Sequence, residues 1–574
     1  MNEFLNEYNR WRDFAGLDEK LKADIEKMAG DEKEIETWFK NPLSFGTAGL
    51  RGIMTAGIGA MNIYTVRQAT QGFAELIKSH NGQNRGVVIG FDCRNNSELF
   101  AITSAEVMAA NGIKTYIFDS LRPTPVLSFA IRELGCIAGI NITASHNPSK
   151  YNGYKAYWED GAQLGPEQAD AVLEKIKTTD VLSGALTVDF EDAVNAGKIT
   201  IIGEKIDEKY LEKVKEQAVS PELFDKVKDD LAIVYTPLHG TGRVLVPEIL
   251  KRCGLKKLYT VESQTEPNGD FPGTPNPNPE FPQVFEEGIK IAEKVNSDLI
   301  IATDPDADRV GIMARTKEGF KTLTGNQVGS LLIDYIITSY EQKGIKRDDA
   351  YAVKTIVSTE LAAKICREHG VKIHNVLTGF KFIGEMIKNY EKENRGQFIL
   401  GFEESYGYLK GTYARDKDAV VATMLICEMA AFYKLKGMTL YDALLDVYKK
   451  YGYYLEGVEN IYMEGLDGKE KMAKVMDSLR SNGPKNIGNC EITSVRDYST
   501  GIITDIRTGK QSPTNLPKSN VLYYEDEKGN VIVVRPSGTE PKLKLYFLVN
   551  GKTEEEAKEK IETCKELMKN YTRV

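Results

Sequence analysis

This 574-residue chain has no apolar stretch long enough to cross a membrane, no paired cysteine motif and no excess of positive charge. Each absence removes a class of function. The most apolar run, 419–433, is interrupted by Thr423 and Glu428, and falls short of the roughly 18 apolar residues a membrane span requires. The first residues, Met1-Asn2-Glu3-Phe4-Leu5-Asn6-Glu7, lack the basic and apolar regions of a secretory signal, so the expected location is the cytoplasm. Seven cysteines are scattered from Cys93 to Cys564 without a Cys-x-x-Cys pair, which argues against a disulfide framework or a zinc site. Lys and Arg total 74 against 83 Asp and Glu, a net charge of −9 and the wrong sign for a protein that neutralises a nucleic-acid backbone. No obligate protein partner is readable, and no short-period repeat or low-complexity tract occurs.

What remains is a globular composition, 41% hydrophobic and 27% charged, with ample material for buried cores. At about 150 residues per core, the length predicts about four domains. For some 430 residues, short β-branched runs alternate with amphipathic stretches, the pattern of βαβ units. Strands are predicted near 86–92, 137–143, 231–236, 299–303, 352–357 and 397–401, and a helix near 285–295. Beyond about 455 the order changes. Strands near 531–534 and 542–549 flank a Pro/Gly loop, and a final helix opens with Thr553 and Glu556 in capping-box spacing, with Ala557, Ile561, Cys564 and Met568 on one face. The changes of pattern place boundaries near 207, 320 and 450, giving domains 1–207, 208–320, 321–450 and 451–574, the first three α/β and the last α+β. The segment 265–282, with six prolines, reads as an irregular loop inside the second domain.

Polar groups gather at predicted strand ends, where parallel α/β sheets bind ligands. Thr143-Ala144-Ser145-His146-Asn147-Pro148 follows an apolar strand, so Ser145 presents either a phosphoryl-carrying hydroxyl beside His146 or simply a polar turn. Asp304-Pro305-Asp306-Ala307-Asp308-Arg309 places carboxylates at alternate residues of an extended chain, on one side, as a hard divalent cation requires. An EF-hand reading fails, because Arg309 stands at its sixth position and Arg315 at its twelfth. Arg309 could balance the cage or hold a substrate phosphate. Arg535-Pro536-Ser537-Gly538-Thr539 combines a guanidinium fork, hydroxyls and a flexible glycine, suited to a phosphate or to an ordinary connection. Gly401-Phe402-Glu403-Glu404-Ser405 offers acceptors for sugar hydroxyls, or a solvated turn, and the Gly-rich run from Phe45 ends in Arg51. Taken together, a nucleophile, a metal cage, hydroxyl acceptors and a phosphate clamp describe phosphoryl transfer on a sugar phosphate.

With these motifs assembled, the chain resembles the α-D-phosphohexomutase superfamily (phosphoglucomutase/phosphomannomutase family), and within it the long bacterial and animal cytosolic branch. The resemblance spans essentially the whole chain: FGTAGLRG from Phe45, TASHNPSKYNGYK from Thr143, DPDADR from Asp304, TGFKFIG from Thr378, GFEESYGY from Gly401 and RPSGTEPK from Arg535. It implies four domains around a central cleft, three related α/β domains with mixed sheets and a C-terminal α+β lid. It also implies that Ser145 is a phosphoserine whose oxygen joins Asp304, Asp306 and Asp308 around Mg²⁺. Arg51 and Lys155 fall at positions of active-site bases or phosphate contacts, Lys155 being the first choice for the base, and His146 completes the catalytic set. Thr378, Gly379, Glu403, Ser405 and Lys417 match sugar-contacting positions, with Lys381 a further substrate contact. Arg535, Ser537, Gly538 and Thr539 match the distal phosphate loop. Where many relatives have Gly-His after the serine of the sugar loop, this chain has Tyr406-Gly407-Tyr408, so a role for that histidine does not carry over.

The implied reaction interconverts α-D-glucose 1-phosphate and glucose 6-phosphate through glucose 1,6-bisphosphate. Phosphomannomutase or phosphopentomutase chemistry uses the same mechanism, and cleft shape rather than motif decides among them. A phosphatase with the same covalent intermediate would need only a positioned water. A metal-binding interaction module without catalysis would need neither serine nor phosphate clamp.

Overall fold

The computed structural model describes residues 2–46, 49–463, 468–537 and 542–572. It has four main sheets, mixed in the N-terminal part of the chain and antiparallel in the C-terminal part, and the chain forms two compact units. One comprises Met1–Thr322, Gly384–Glu393 and Gly407–Gly437, the other Leu323–Ile383, Asn394–Tyr406 and Met438–Val574.

The first unit contains two sheets. In one, the strands run Gly49–Ile53, Tyr151–Trp158, Ala138–Ile142, Val87–Phe91, Thr115–Phe118 and Ile199–Ile202 across the sheet. The first three pair antiparallel and the others parallel. Every residue of Val87–Phe91 and Ala138–Ile142 is buried, as expected of central strands covered on both faces, which is why they read as unbroken apolar runs. Four of the five strands of the second sheet, Val310–Thr316, Leu299–Thr303, Ala232–Thr236 and Lys257–Thr260, lie in that order, the first two of these antiparallel and the following pairs parallel. The apolar run near 420 forms the helix Ala419–Lys434, buried almost all round against Gly242–Arg252, Glu222–Val227 and Glu204–Lys215. A helix hydrophobic on every face belongs in a core, and among the described residues no helix is long and apolar enough to cross a membrane. Ahead of the first sheet, Glu3–Arg12, Glu19–Met28 and Glu32–Phe39 make a small cluster of their own, with Tyr8, Trp11 and Phe39 packed edge to face and against Tyr64.

In the second unit Lys372–Val376, Tyr351–Thr355 and Phe398–Glu403 are parallel neighbours. The last strand runs two residues past the predicted end at 401, so Glu403 sits on the sheet rather than in a turn. The C-terminal sheet is antiparallel, ordered Tyr453–Tyr462, Lys542–Gly551, Val531–Pro536, Leu522–Asp526 and Cys490–Asp497, then the hairpin Ile502–Asp505 and Gln511–Pro513. Strand alternation sorts its residues. Ile532 and Val534 face the core shared with Gly468–Asn482 and Glu554–Thr572, while Val531 and Val533 join Tyr546 and Leu548 against Ile356, Val357 and Leu377. Thr553 Oγ1 accepts the Glu556 amide at 3.2 Å, as the capping spacing predicts, but the Glu556 carboxylate returns to the Lys552 amide at 2.8 Å rather than to that of Thr553. Ala557, Cys564 and Met568 are fully buried on the predicted face.

Candidate active site

Ser145 lies just past the carboxyl end of Ala138–Ile142, with φ of 50°, in the left-handed region that non-glycine residues seldom adopt. Such strain persists only where the surroundings impose it, and here they do. The Ser145 amide donates to Thr143 Oγ1 at 2.8 Å. The buried Arg94 guanidinium donates to the carbonyls of Ser145 and Asn147 and, at 3.1 Å each, to those of Pro148 and Tyr151. Arg94 is itself held by Asp92, with Nε 3.4 Å from the carboxylate, and lies over the Phe271 ring. The proline-rich loop near 265–282 thereby packs behind the serine loop. The turn is therefore built to hold the hydroxyl in place: Ser145 Oγ donates to Asp304 Oδ2 at 2.7 Å and lies 3.1 Å from His146 Nδ1.

Asp304, Asp306 and Asp308 follow Leu299–Thr303 and present oxygens all within 4.8 Å of one another, each residue at most 2% exposed. Backbone bonds lock the loop. Asp304 Oδ1 accepts the amides of Asp308 and Arg309 at 3.1 and 2.9 Å, and Ala307, between the ligands, takes φ of 48°. Thr124 donates its hydroxyl to Asp306 Oδ2 and its amide to the Asp306 carbonyl, each at 2.8 Å. Asp306 Oδ1 and Asp308 Oδ1 are buried yet accept no hydrogen bond. Buried carboxylate oxygens without donors, close to a third carboxylate, are what a hard divalent cation requires, so the donor set fits a metal ion.

Two ammonium groups face the same carboxylates. Lys155 Nζ donates to Asp306 Oδ2 at 2.7 Å and to Asp308 Oδ2 at 3.3 Å, and Lys417 Nζ lies 3.2 Å from Asp308 Oδ2. Burial and the repulsion of Asp306 and Asp308 push the Asp304 carboxyl well above the usual range. Burial would raise Asp308 too, but Lys417, Lys155 and Arg309 hold it below that range. Burial works against the charge on Lys155, yet Asp306 and Asp308 outweigh it and raise its pKa. That is the direction opposite to what a general base needs. His146 is pushed well below its ordinary value by burial and by the nearby Arg309 and Arg51. Arg51 donates to Asn147 Oδ1 at 3.0 Å, and Arg309 pairs with Glu280 at 3.0 Å. The first unit thus brings together Ser145, His146, Arg51, Lys155, Arg309, Lys417 and the three aspartates.

The other predicted residues belong to the second unit. Glu403 Oε1 accepts the Gly379 amide at 2.8 Å, joining the Thr378 and Glu403 loops. Its neighbour Glu404 accepts from Thr355 Oγ1 at 3.2 Å, and burial with the adjacent Glu403 charge pushes it up to about 7. Ser405 precedes Tyr406, whose φ is 68°, and Lys381 Nζ lies 5.4 Å from the Phe382 ring centre. Arg535 sits opposite Lys544 on its strand, and the Ser537 amide donates to the Lys542 carbonyl at 2.8 Å. Gly538 and Thr539 lie outside the described residues.

Sequence reasoning missed Arg94, Thr124, Asp416 and Asp418. The segment Arg415-Asp416-Lys417-Asp418 is anchored residue by residue. The Arg415 amide donates to Ser128 Oγ at 2.8 Å, Asp416 accepts from Tyr157 and Gln163, and Asp418 accepts from Tyr210 and Tyr413 while capping Ala419–Lys434. Four ionic residues ahead of an apolar run were the available signal.

Known proteins resemble this arrangement along nearly the whole chain. Models of the phosphoglucomutase/phosphomannomutase alpha/beta/alpha domains I, II and III match residues 42–182, 208–319 and 324–451, and that of the C-terminal domain matches 497–565. A phosphoglucomutase of Staphylococcus saprophyticus is 37% identical over 517 residues, covering 90% of this chain and 92% of its own. Another, from Staphylococcus epidermidis, is 38% identical over 541 residues, covering 94% and 96%. In three dimensions the chain matches the open form of the Paramecium phosphoglucomutase parafusin with a TM-score of 0.66 at 18% identity, over 92% of this chain and 95% of that one. A Burkholderia thailandensis phosphoglucomutase/phosphomannomutase family protein gives 0.66 at 17% identity, over 92% and 97%.

Proposed function

This chain belongs to the phosphoglucomutase/phosphomannomutase family and is an isomerase-class phosphohexomutase, and we propose that it interconverts α-D-glucose 1-phosphate and glucose 6-phosphate. Glucose is the substrate of choice because the relatives at 37–38% identity carry the name phosphoglucomutase. The observation that carries the mechanism is the strained Ser145, its Oγ 2.7 Å from a buried aspartate triad. Phosphorylated Ser145 gives its phosphoryl to the free sugar hydroxyl: the P–Oγ bond breaks as a P–O bond to the sugar forms, and the hydroxyl proton passes to a base. The product is glucose 1,6-bisphosphate, which returns the phosphoryl at its other end to Ser145.

Asp304, Asp306 and Asp308, with a phosphoserine oxygen, would hold Mg²⁺, which supplies positive charge opposite the transferring phosphoryl. Lys155 and Lys417, ammonium groups beside the triad, add fixed charge at the same place. Thr378, Gly379, Lys381, Glu403 and Ser405 are assigned to the sugar. Arg309, Arg535 and Ser537 are assigned to phosphate. All seven cysteines are unpaired, in keeping with a reducing cytoplasm.

Intact-mass measurement should find one phosphate on the purified protein, absent from Ser145→Ala. Assays with glucose, mannose and ribose 1-phosphates in parallel should show turnover fastest with glucose and none in the variant. Turnover by a folded Ser145→Ala protein would rule out the covalent route, and faster turnover of mannose or ribose 1-phosphate would reassign the substrate.

A further inference from the structure

Asp308 Oδ2 lies 3.3 Å from the Lys155 ammonium and 3.2 Å from that of Lys417. A divalent cation entering the triad would meet both positive groups at close range, and at a buried site such repulsion is barely screened. The two lysines differ in where they can go. The ion pairs of Lys155 are with members of the triad, Asp306 and Asp308. Lys417 Nζ lies between Asp308 Oδ2 and Asp416 Oδ1, 3.2 Å from each.

Asp416 is built for this task. It is 2% exposed and stands outside the triad. Its Oδ2 accepts the Tyr157 hydroxyl at 2.9 Å and the Gln163 amide at 3.1 Å, which fixes the carboxylate so that Oδ1 faces Lys417. Tyr157 and Gln163 flank the turn that closes the strand Tyr151–Trp158, the strand that also carries Lys155. The carboxylate that receives Lys417 is thus registered to the same strand as the other lysine of the cage.

We propose that Asp416 is a second seat for the Lys417 ammonium, which leaves Asp308 for Asp416 when a divalent cation occupies the triad. Asp416 is then a positioning residue: it touches neither cation nor substrate and acts through Lys417. The proposal rests on the reading of Asp304, Asp306 and Asp308 as a cation site.

The test is Mn²⁺ binding to the full-length protein, followed by electron paramagnetic resonance of the free ion and by calorimetry, with no turnover required. Asp416→Asn keeps the size and an acceptor for Tyr157 but removes the second seat. It should bind Mn²⁺ about tenfold more weakly, within the range of coupling between contacting charged residues. Lys417→Met should bind at least as tightly as the parent, and Asp416→Asn/Lys417→Met should return to within threefold of Lys417→Met. Gln163→Ala, which leaves both charges in place and frees one side of the carboxylate, should weaken binding two- to threefold and serves where Asp416→Asn does not fold. Parent-like Mn²⁺ affinity in both single variants at Asp416 and Gln163 would overturn the proposal. A weak double variant beside a tight Lys417→Met would do the same, because Asp416 would then not act through Lys417. A parent protein that binds no better than Asp306→Asn would remove the cation site itself, a failure distinct from the other two.

Discussion

Replacing Arg94 by lysine would keep a positive charge beside Asp92 and take away the planar fork. The guanidinium reaches four carbonyls of the serine loop from two nitrogens, whereas an ammonium offers three donors from one point and cannot span them. At least two charge-assisted hydrogen bonds should be lost, each of about 1.5–3 kcal/mol, or about 3–6 kcal/mol in all. Because the bonds restrain one loop, the loss should appear first as local opening. The amides of Ser145, Asn147 and Tyr151 are bonded within the loop, to Thr143 Oγ1 and to the carbonyls of Ala144 and Pro148. Hydrogen exchange should accelerate at these amides by about two to four orders of magnitude, at 1.4 kcal/mol per factor of ten and up to the limit set by global unfolding. A serine hydroxyl displaced by about 1 Å costs on the order of a hundredfold in rate, so kcat/KM should fall by about that factor while far-UV circular dichroism stays native. Exchange at the three amides within threefold of the parent, together with unchanged turnover, would refute the view that Arg94 maintains the strained serine.

Three further outcomes are expected. Asp306→Asn removes one charge from the cage, so the Mg²⁺ concentration for half-maximal turnover should rise by about tenfold or more, and EDTA should abolish activity of the parent; full activity of the metal-stripped parent contradicts the assignment. Arg535→Ala should lower kcat/KM about a hundredfold in both directions, the worth of a lost bidentate phosphate contact, and release free glucose 1,6-bisphosphate visible by phosphorus NMR; unchanged kinetics without free bisphosphate would leave this loop a mere connection. Glu456 is pushed up to about 7 by burial, against hydrogen bonds from Thr359 and Asn326. Since the folded state holds its proton more tightly than the unfolded chain, its contribution is fully present below about 4.5 and is lost as pH rises through 7. Glu456→Gln should therefore flatten the fall in melting temperature between pH 5 and about 8, and an unchanged slope would show that this carboxyl does not titrate there.

Much of the site is legible because its residues fall where a strand ends. A strand such as Ala138–Ile142 announces itself by an unbroken apolar run, and the polar residues after it are confined to a known edge of the sheet. The carboxylates from Asp304 were legible as a cage from their spacing, but they converge through a turn and not along an extended chain: the Ala307 amide donates to the Asp304 carbonyl at 2.9 Å and Ala307 is left-handed. Arg94 and Asp416 were not legible, since an ionic residue near the start of a helix ordinarily faces water. Only the packing of Phe271 over one and of Tyr157 against the other shows that these two are buried. The three N-terminal helices escaped for a related reason: their apolar residues are spaced among many charges and make a core only when Trp11, Phe39 and Tyr64 meet.

The first unit is discontinuous in sequence, and this has a consequence for its biosynthesis. The 115 residues from Leu323 through Gly437 must leave the ribosome before that unit is complete, a delay of about 6–23 s at ordinary rates of translation. Until then the helices Gly242–Arg252 and Glu204–Lys215 lack the apolar Ala419–Lys434 that covers them, and Asp308 lacks Lys417. A nascent chain that already carries Ser145 and its three aspartates is therefore an unfinished catalyst with an uncovered flank, a client for chaperones that cannot yet turn over sugar phosphate.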